Sequence, residues 1–331
     1  MGTAPIKKIV KKTLQIALPI VLGGFILVWV YRDFDFSKVG HVLLHETNYW
    51  WMFISLIFGV LSHVFRGLRW KQTLEPLEAY PRTSNCVNAI FISYAANLVL
   101  PRVGEVSRCT VLTKYDGVSF SKSLGTVVTE RIIDTIMVAA ITGTTLLLQL
   151  GIFRSFFAQT GTSLDSIGDV FISPKFYIIL LCIIGVSILL YRMVKLLSFF
   201  EKVKGIVLNV WEGIQTLKHV RNIPLFVLYT FLIWFSYFME FYLTFFCFDF
   251  TSNLGIMCGL VLFAAGSVAV VVPTPNGAGP WHFAIISMMV LYGVNPVDAG
   301  IFALIKHGVQ TLLLVLLGIY GLAALPFTNK K

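Results

Sequence analysis

Six apolar runs, near residues 14–31, 50–68, 124–150, 175–192, 223–248 and 298–325, constrain this chain more than any other feature. Each approaches the roughly 20 residues that a helix needs to cross the hydrocarbon core of a bilayer. In hydrocarbon every backbone N–H and C=O must be satisfied within the segment or in a closed barrel. Unbroken apolar runs of this length, without period-two alternation, predict an all-α, polytopic integral membrane protein. Charge agrees with this reading. Only 13% of the 331 residues are charged and 57% are hydrophobic, against about 25% charged in a soluble domain.

The start does not read as a cleaved signal. Lys7, Lys8, Lys11 and Lys12 precede an apolar run from Leu14 to Tyr31 that is longer than a signal core and lacks a small-residue cleavage site. It is expected to be the first membrane helix. The net charge of +10 does not argue for nucleic acid, because the basic residues sit beside apolar segments. They read as orientation signals and lipid-headgroup contacts. The five cysteines, Cys86, Cys109, Cys182, Cys247 and Cys258, form no CxxC pair. Neither a disulfide framework nor a zinc site is expected. No metal or other cofactor is predicted, and the absence of a GxxxxGK[ST] loop argues against nucleotide hydrolysis by that route.

Two further apolar regions are interrupted. One, at 84–115, breaks at Leu100-Pro101-Arg102-Val103-Gly104-Glu105, and the other, at 254–292, breaks across Pro273-Thr274-Pro275-Asn276-Gly277-Ala278-Gly279-Pro280. Proline removes a backbone donor and glycine opens unusual dihedrals, so both mark ends of helices. Non-helical backbone at membrane depth survives only inside protein or beside a wet cavity. Each region is therefore expected to be a re-entrant hairpin, giving about six full spans plus two hairpins. This arrangement puts both termini in the cytoplasm of a multi-pass cell-membrane protein. Arg69, Lys71, Arg82, Lys114, Lys122 and the basic cluster of 192–221 then face inward. Only Arg32, Lys38, Arg154 and Lys175 face outward. Residues 193–222 read as a cytoplasmic amphipathic helix.

A shift of 176 residues lays Gly117-Val118 on Gly293-Val294, Glu130-Arg131 on Lys306-His307, Asp134 on Gln310 and Thr135 on Thr311. The expectation is a single domain over 1–331 built from two inverted copies, about 14–150 and about 175–325. Inverted repeats with broken helices are a transporter architecture.

Charges inside a membrane cost about 2.5–3.5 kcal/mol each on insertion scales and mark candidate sites. Arg102, Glu105 and Arg108 follow the first break at spacings that place them on one helical face. With the N-terminal dipole of that half-helix they form a candidate phosphate site. The competing reading has both arginines snorkelling to the interface. Glu130 and Asp134 share a face at i,i+4, and Arg131 reaches Asp134 at i,i+3. They bind a cationic headgroup, carry a proton, or form a structural salt bridge. Lys306, His307 and Gln310 occupy the matching place in the second copy, and His307 is a candidate titrating group. In the second break Gly277 and Gly279 let backbone approach a ligand, and Asn276 and His282 are its polar side chains; a packing knuckle is the alternative. Arg66, Arg69 and Trp70 close the second span and read as an interface anchor, with contact to a lipid phosphate as the alternative. Asp33 with Asp35, and His41 with His45 and Glu46, are weaker candidate metal-binding groups.

The segment from Asn97 to Glu105 with Arg108, then Glu130-Arg131 with Asp134, then 273–279 resembles the flippase-like transmembrane domain of lysylphosphatidylglycerol synthases. The resemblance extends over about 14–325. It implies that Asn97 joins Arg102, Glu105, Arg108, Glu130, Arg131, Asp134, Asn276, Gly277, Gly279, His282, Lys306 and His307 in a substrate-binding set. Asn276 replaces a glycine usual at the second break, and His282 stands where Glu is usual. In bifunctional members the domain moves lysylphosphatidylglycerol between leaflets, and a separate soluble domain makes that lipid. Ending at Lys331 without that soluble domain, this chain is not expected to synthesise lipid. The function expected is a flippase for an anionic or aminoacylated phospholipid or a lipid-linked glycan. The alternatives are a membrane-embedded glycosyl or headgroup transferase, or a non-catalytic partner of a separately encoded synthase.

Overall fold

The structure, a computed structural model, describes residues 3–32, 34–151 and 220–329, with side chains from residue 17 onward. The described residues contain no strand. The long helices are α1 (Thr3–Val30), α2 (Tyr49–Leu74), α3 (Thr83–Val99), α4 (Val103–Asp116), α5 (Phe120–Leu148), α6 (Ile223–Tyr242), α7 (Ile256–Ala269), α8 (Pro280–Leu291) and α9 (Pro296–Thr328). Four helical stretches among the described residues are long and apolar enough to cross a membrane: Tyr49–Leu77, Phe120–Leu148, Ile223–Cys247 and Pro296–Thr328. Five of the six apolar runs read from the sequence fall on α1, α2, α5, α6 and α9. The run at 175–192 and nearly all of the amphipathic segment at 193–222 lie outside the described residues.

Local chemistry sets the helix starts. Asn48 accepts from the Trp50 N–H at 3.1 Å, Asn222 from Leu225 N–H at 3.1 Å, and Asn295 from Val297 N–H at 2.9 Å. Each satisfies a first-turn donor that has no intrahelical partner. Pro224 and Pro296 follow two of these caps, where a missing N–H costs nothing.

Both interrupted regions fold as helix–break–helix units. In the first, α3 ends at Val99 and α4 starts at Val103 after Arg102, whose φ of 68° is left-handed. Asn97 reaches across the break from α3 and accepts the Gly104 N–H at 2.8 Å. Gly104 has no room for a Cβ, which would collide with the Ser93 carbonyl and the Asn97 side chain. In the second unit α7 and α8 flank a coil in which Asn276, Gly277 and Gly279 all have positive φ, at 51°, 71° and 94°. A Cβ on Gly279 would lie 2.9 Å from both the Gly23 carbonyl oxygen and Ile26 Cβ, so α1 clamps this break. Each unit ends in a left-handed glycine, Gly117 or Gly293, before a long helix. Those helices begin at Phe120 and Pro296, separated by the 176 residues of the sequence repeat.

The two broken units pack across one another's following helices. Helix α2 packs on α6, α3 packs on α9, and α7 packs on α5. The outer helix of each broken unit thus leans on the long helix that follows the other unit. Small residues permit this approach. A Cβ on Gly318 would overlap Ala95, and one on Gly321 would lie 2.9 Å from the Asn88 carbonyl. One apolar core, with Trp70, Leu74, Ile90 and Leu112, surrounds the first unit; an aromatic-rich one, with Phe241, Phe245, Trp281 and Phe302, surrounds the second.

Candidate functional site

Between α2, α4 and α5 lies a chain of buried ion pairs. Arg66 Nη1 donates to Asp134 Oδ2 at 2.6 Å, and Arg69 Nη2 donates to Asp134 Oδ1 at 2.9 Å. Arg69 Nε faces Glu130 Oε1 at 3.6 Å, and Arg108 Nη1 donates to Glu130 Oε2 at 2.6 Å. The side chains of Arg66, Arg69, Arg108 and Glu130 are each no more than 2% exposed. The chain reaches a rim at Arg131, 43% exposed, which lies 3.7 Å from Glu105 and 3.8 Å from Asp134. Four arginines against three carboxylates leave a net charge of +1 when all are ionised.

Aromatic faces support these cations. The Arg108 guanidinium lies 4.7 Å from the Trp70 ring centroid, and Trp70 Nε1 donates to Thr126 Oγ1 at 2.9 Å. Arg66 sits 5.8 Å from the Tyr94 ring and 5.7 Å from the Tyr237 ring, whose hydroxyls are joined at 2.9 Å. The His63 ring lies 4.2 Å from that of Tyr94, tilted at 52°. Charge pairing here exceeds hydrogen bonding. Arg108 Nε and Nη2, Arg66 Nε, Glu130 Oε1 and Glu105 Oε2 are buried without a protein hydrogen-bond partner. A guanidinium carries five donors in a planar fork that fits phosphate oxygens, and Arg108 spends one of them on Glu130. Buried donors and acceptors left unmet are costly.

The second cluster lies between α6, the second break and α9. Lys306 Nζ donates to Glu240 Oε1 at 3.0 Å and to Gln310 Oε1 at 2.5 Å, beside the faces of Phe241 and Trp281. His307 Nε2 lies 3.1 Å from the Asn276 carbonyl oxygen, and Asn276 Nδ2 donates to Thr311 Oγ1 at 3.2 Å. His282 Nδ1 accepts the Gly279 N–H at 3.4 Å, and its ring lies 4.5 Å from that of His307. The polarity is reversed relative to the first cluster. There the long helix α5 carries the acids and α2 the bases; here α9 carries the base and α6 the acid.

Most residues singled out from the sequence gather in these two clusters, with three corrections. Arg102 is exposed and precedes α4, so the helical spacing assumed for Arg102, Glu105 and Arg108 does not apply to it. Arg66, Arg69 and Trp70 are not an interface anchor; all three are buried against α5. Glu240, the counter-ion of Lys306, had not been singled out, although it is the only acid in the apolar run of α6. Tyr94 and Tyr237 are further members with no charge to signal them. Asp35 is engaged locally: its carboxylate accepts from the Ser37 hydroxyl at 2.6 Å and from the Ser37 N–H at 3.0 Å, which holds it below the usual carboxylate range. Asp33 lies outside the described residues. His41 pairs with Glu46 at 3.1 Å, and no group of three or more His, Cys, Asp or Glu suited to a metal occurs among the described residues.

A family model described as the lysylphosphatidylglycerol synthase TM region matches residues 16–318. A UPF0104 membrane protein of Methanocaldococcus jannaschii is 27% identical over 220 residues, which are 63% of this chain and 83% of that protein. Glycosyltransferase AglD of Haloferax volcanii is 28% identical over 93 residues, 28% of this chain and 15% of that protein.

Proposed function

This chain belongs to the family of lysylphosphatidylglycerol synthase transmembrane regions, and from that premise we propose that it is a flippase, carrying a lipid with a phosphate headgroup between leaflets. The observation that supports this most is the buried Arg66–Asp134–Arg69–Glu130–Arg108 chain, with its excess positive charge and its unmet donors on Arg108. A purely structural pair needs no surplus cation. A headgroup phosphate entering past Arg131 and Glu105 accepts from Arg108 Nε and Nη2, beside the N-terminus of α4, whose dipole also favours an anion. Lys306 and His307 receive it from the other side, and the acyl tails stay in lipid.

In this reading the two broken units are inverted copies in one domain, both termini lie in the cytoplasm of a cell membrane, and rocking of one copy against the other alternates access. The interlocked packing of α3 on α9 and α7 on α5 is consistent with such symmetry. A lipid-linked glycan is the second cargo to consider, because it presents the same phosphate and because of the partial likeness to a protein named a glycosyltransferase.

Purified protein reconstituted into vesicles with a fluorescent anionic phospholipid tests the proposal. A membrane-impermeant quencher reads the fraction of label in the outer leaflet over time. Exchange faster than in protein-free vesicles, lost in Arg108→Ala, supports it. Equal exchange with and without protein, across anionic phospholipids and lipid-linked glycans, refutes it.

A further inference from the structure

A groove lies on the opposite face of α2 from the ion network. Val60 and Val64 of α2, Val87 and Phe91 of α3, and Leu317 and Tyr320 of α9 line an open groove of about 510 Å³. At one end the lining turns polar, with Thr83, Ser84 and Thr328. Val60, Val64 and Lys71 are spaced by 4 and 7 residues on α2, so Lys71 continues the groove's own stripe to that end. The run from Leu317 to Thr328 is roughly 16 Å of helix, about half the ~30 Å hydrocarbon thickness. The groove therefore has the length of one leaflet, with a shaft that is apolar except for Asn88 and a polar mouth.

The mouth is cationic. Lys71 Nζ donates to Thr83 Oγ1 at 2.9 Å, and Arg82 Nη1 donates to the Thr328 carbonyl at 2.7 Å. Both partners are neutral, and neither cation has an ion-pair partner among the described residues. The nearby carboxylate, Asp116, accepts from the Arg82 backbone N–H and from Asn85 Nδ2 instead. From the leaflet-length, mainly apolar shaft and from two cations that have no ion-pair partner among the described residues, we infer that the groove holds one acyl chain of a resident anionic phospholipid, with its phosphate at Lys71, Arg82 and the Thr83 and Ser84 hydroxyls. This lipid is distinct from any transported cargo, because the groove faces away from Arg66 and Arg69.

Photoaffinity labelling of the full chain in bilayers tests the inference. Phosphatidylglycerol carrying a diazirine on its acyl chain is the probe, the phosphatidylcholine analogue is the comparison, and labelled peptides are mapped by mass spectrometry. Phosphatidylglycerol should label the segments around Val60–Val64, Val87–Phe91 and Leu317–Tyr320. The double variant Lys71→Ala/Arg82→Ala should lower that labelling roughly thirtyfold, as loss of two interfacial cations predicts. Val64→Trp, which fills the groove, should lower it while leaving both cations in place, and Arg108→Ala should leave it unchanged. Equal labelling by the two lipids, unchanged labelling in the double variant, or protection of the groove by a second copy of the chain would overturn the inference. Because Arg108→Ala is the variant that stops the proposed transport, failure of the groove and failure of the transport reading are read separately.

Discussion

Glu130 is the residue whose loss the ion network should tolerate least. It is fully buried and shared: Arg108 reaches one oxygen at 2.6 Å and Arg69 approaches the other at 3.6 Å. The two arginines differ in what remains without it. Arg69 keeps Asp134 at 2.9 Å, whereas Arg108 has no other carboxylate within ion-pair distance among the described residues. Glu130→Leu therefore strands one buried guanidinium, and removal of one partner from such a pair costs about 3–5 kcal/mol. Glu130→Gln keeps an acceptor for Arg108 and should cost less, about 1–3 kcal/mol. Arg108→Leu/Glu130→Leu removes both charges and should recover most of the stability, because well-packed apolar replacements of a buried pair are often neutral or better. A double-mutant cycle on thermal unfolding in detergent reads these terms. Additive losses in the two single variants, with no recovery in the double, would refute the reasoning: Arg108 and Glu130 would then not be coupled.

Lys306→Met should destabilise by about 3–5 kcal/mol by stranding Glu240, with recovery in Lys306→Met/Glu240→Leu, read in the same unfolding assay. Gly279→Val should cost more than about 1 kcal/mol, because it forces a side chain to φ 94° and into Gly23 and Ile26 of α1; protease sensitivity of α1 reports the displacement. Asn97→Ala should cost about 1 kcal/mol by removing the acceptor for the Gly104 N–H across the first break, and hydrogen exchange at the start of α4 measures it.

Much of the fold is legible in the sequence because lipid imposes a simple rule. Apolar run length predicts α2, α5, α6 and α9, and the proline–glycine clusters predict both breaks to within a few residues. The site is only half legible. Glu130, Arg131 and Asp134 announce themselves as charges within an apolar helix. Arg66 and Arg69 carry the same signal as any basic end of a membrane span, and only the packing of α2 on α5 turns them inward. Glu240 is visible as an isolated acid, yet its partner lies 66 residues away, beyond the reach of local spacing. Arg102 misleads because counting i,i+3 from it assumes a helix that does not begin until Val103.

In the proposed function the buried arginines hold a lipid phosphate in transit, rather than merely fastening α2, α4 and α5 together. Lipid exchange measured for Arg108→Leu/Glu130→Leu, once its unfolding temperature matches that of the unmodified protein, separates the two roles. The expected result is a folded protein that moves anionic phospholipid no faster than protein-free vesicles. Exchange at the unmodified rate would contradict it and leave the network a structural clasp.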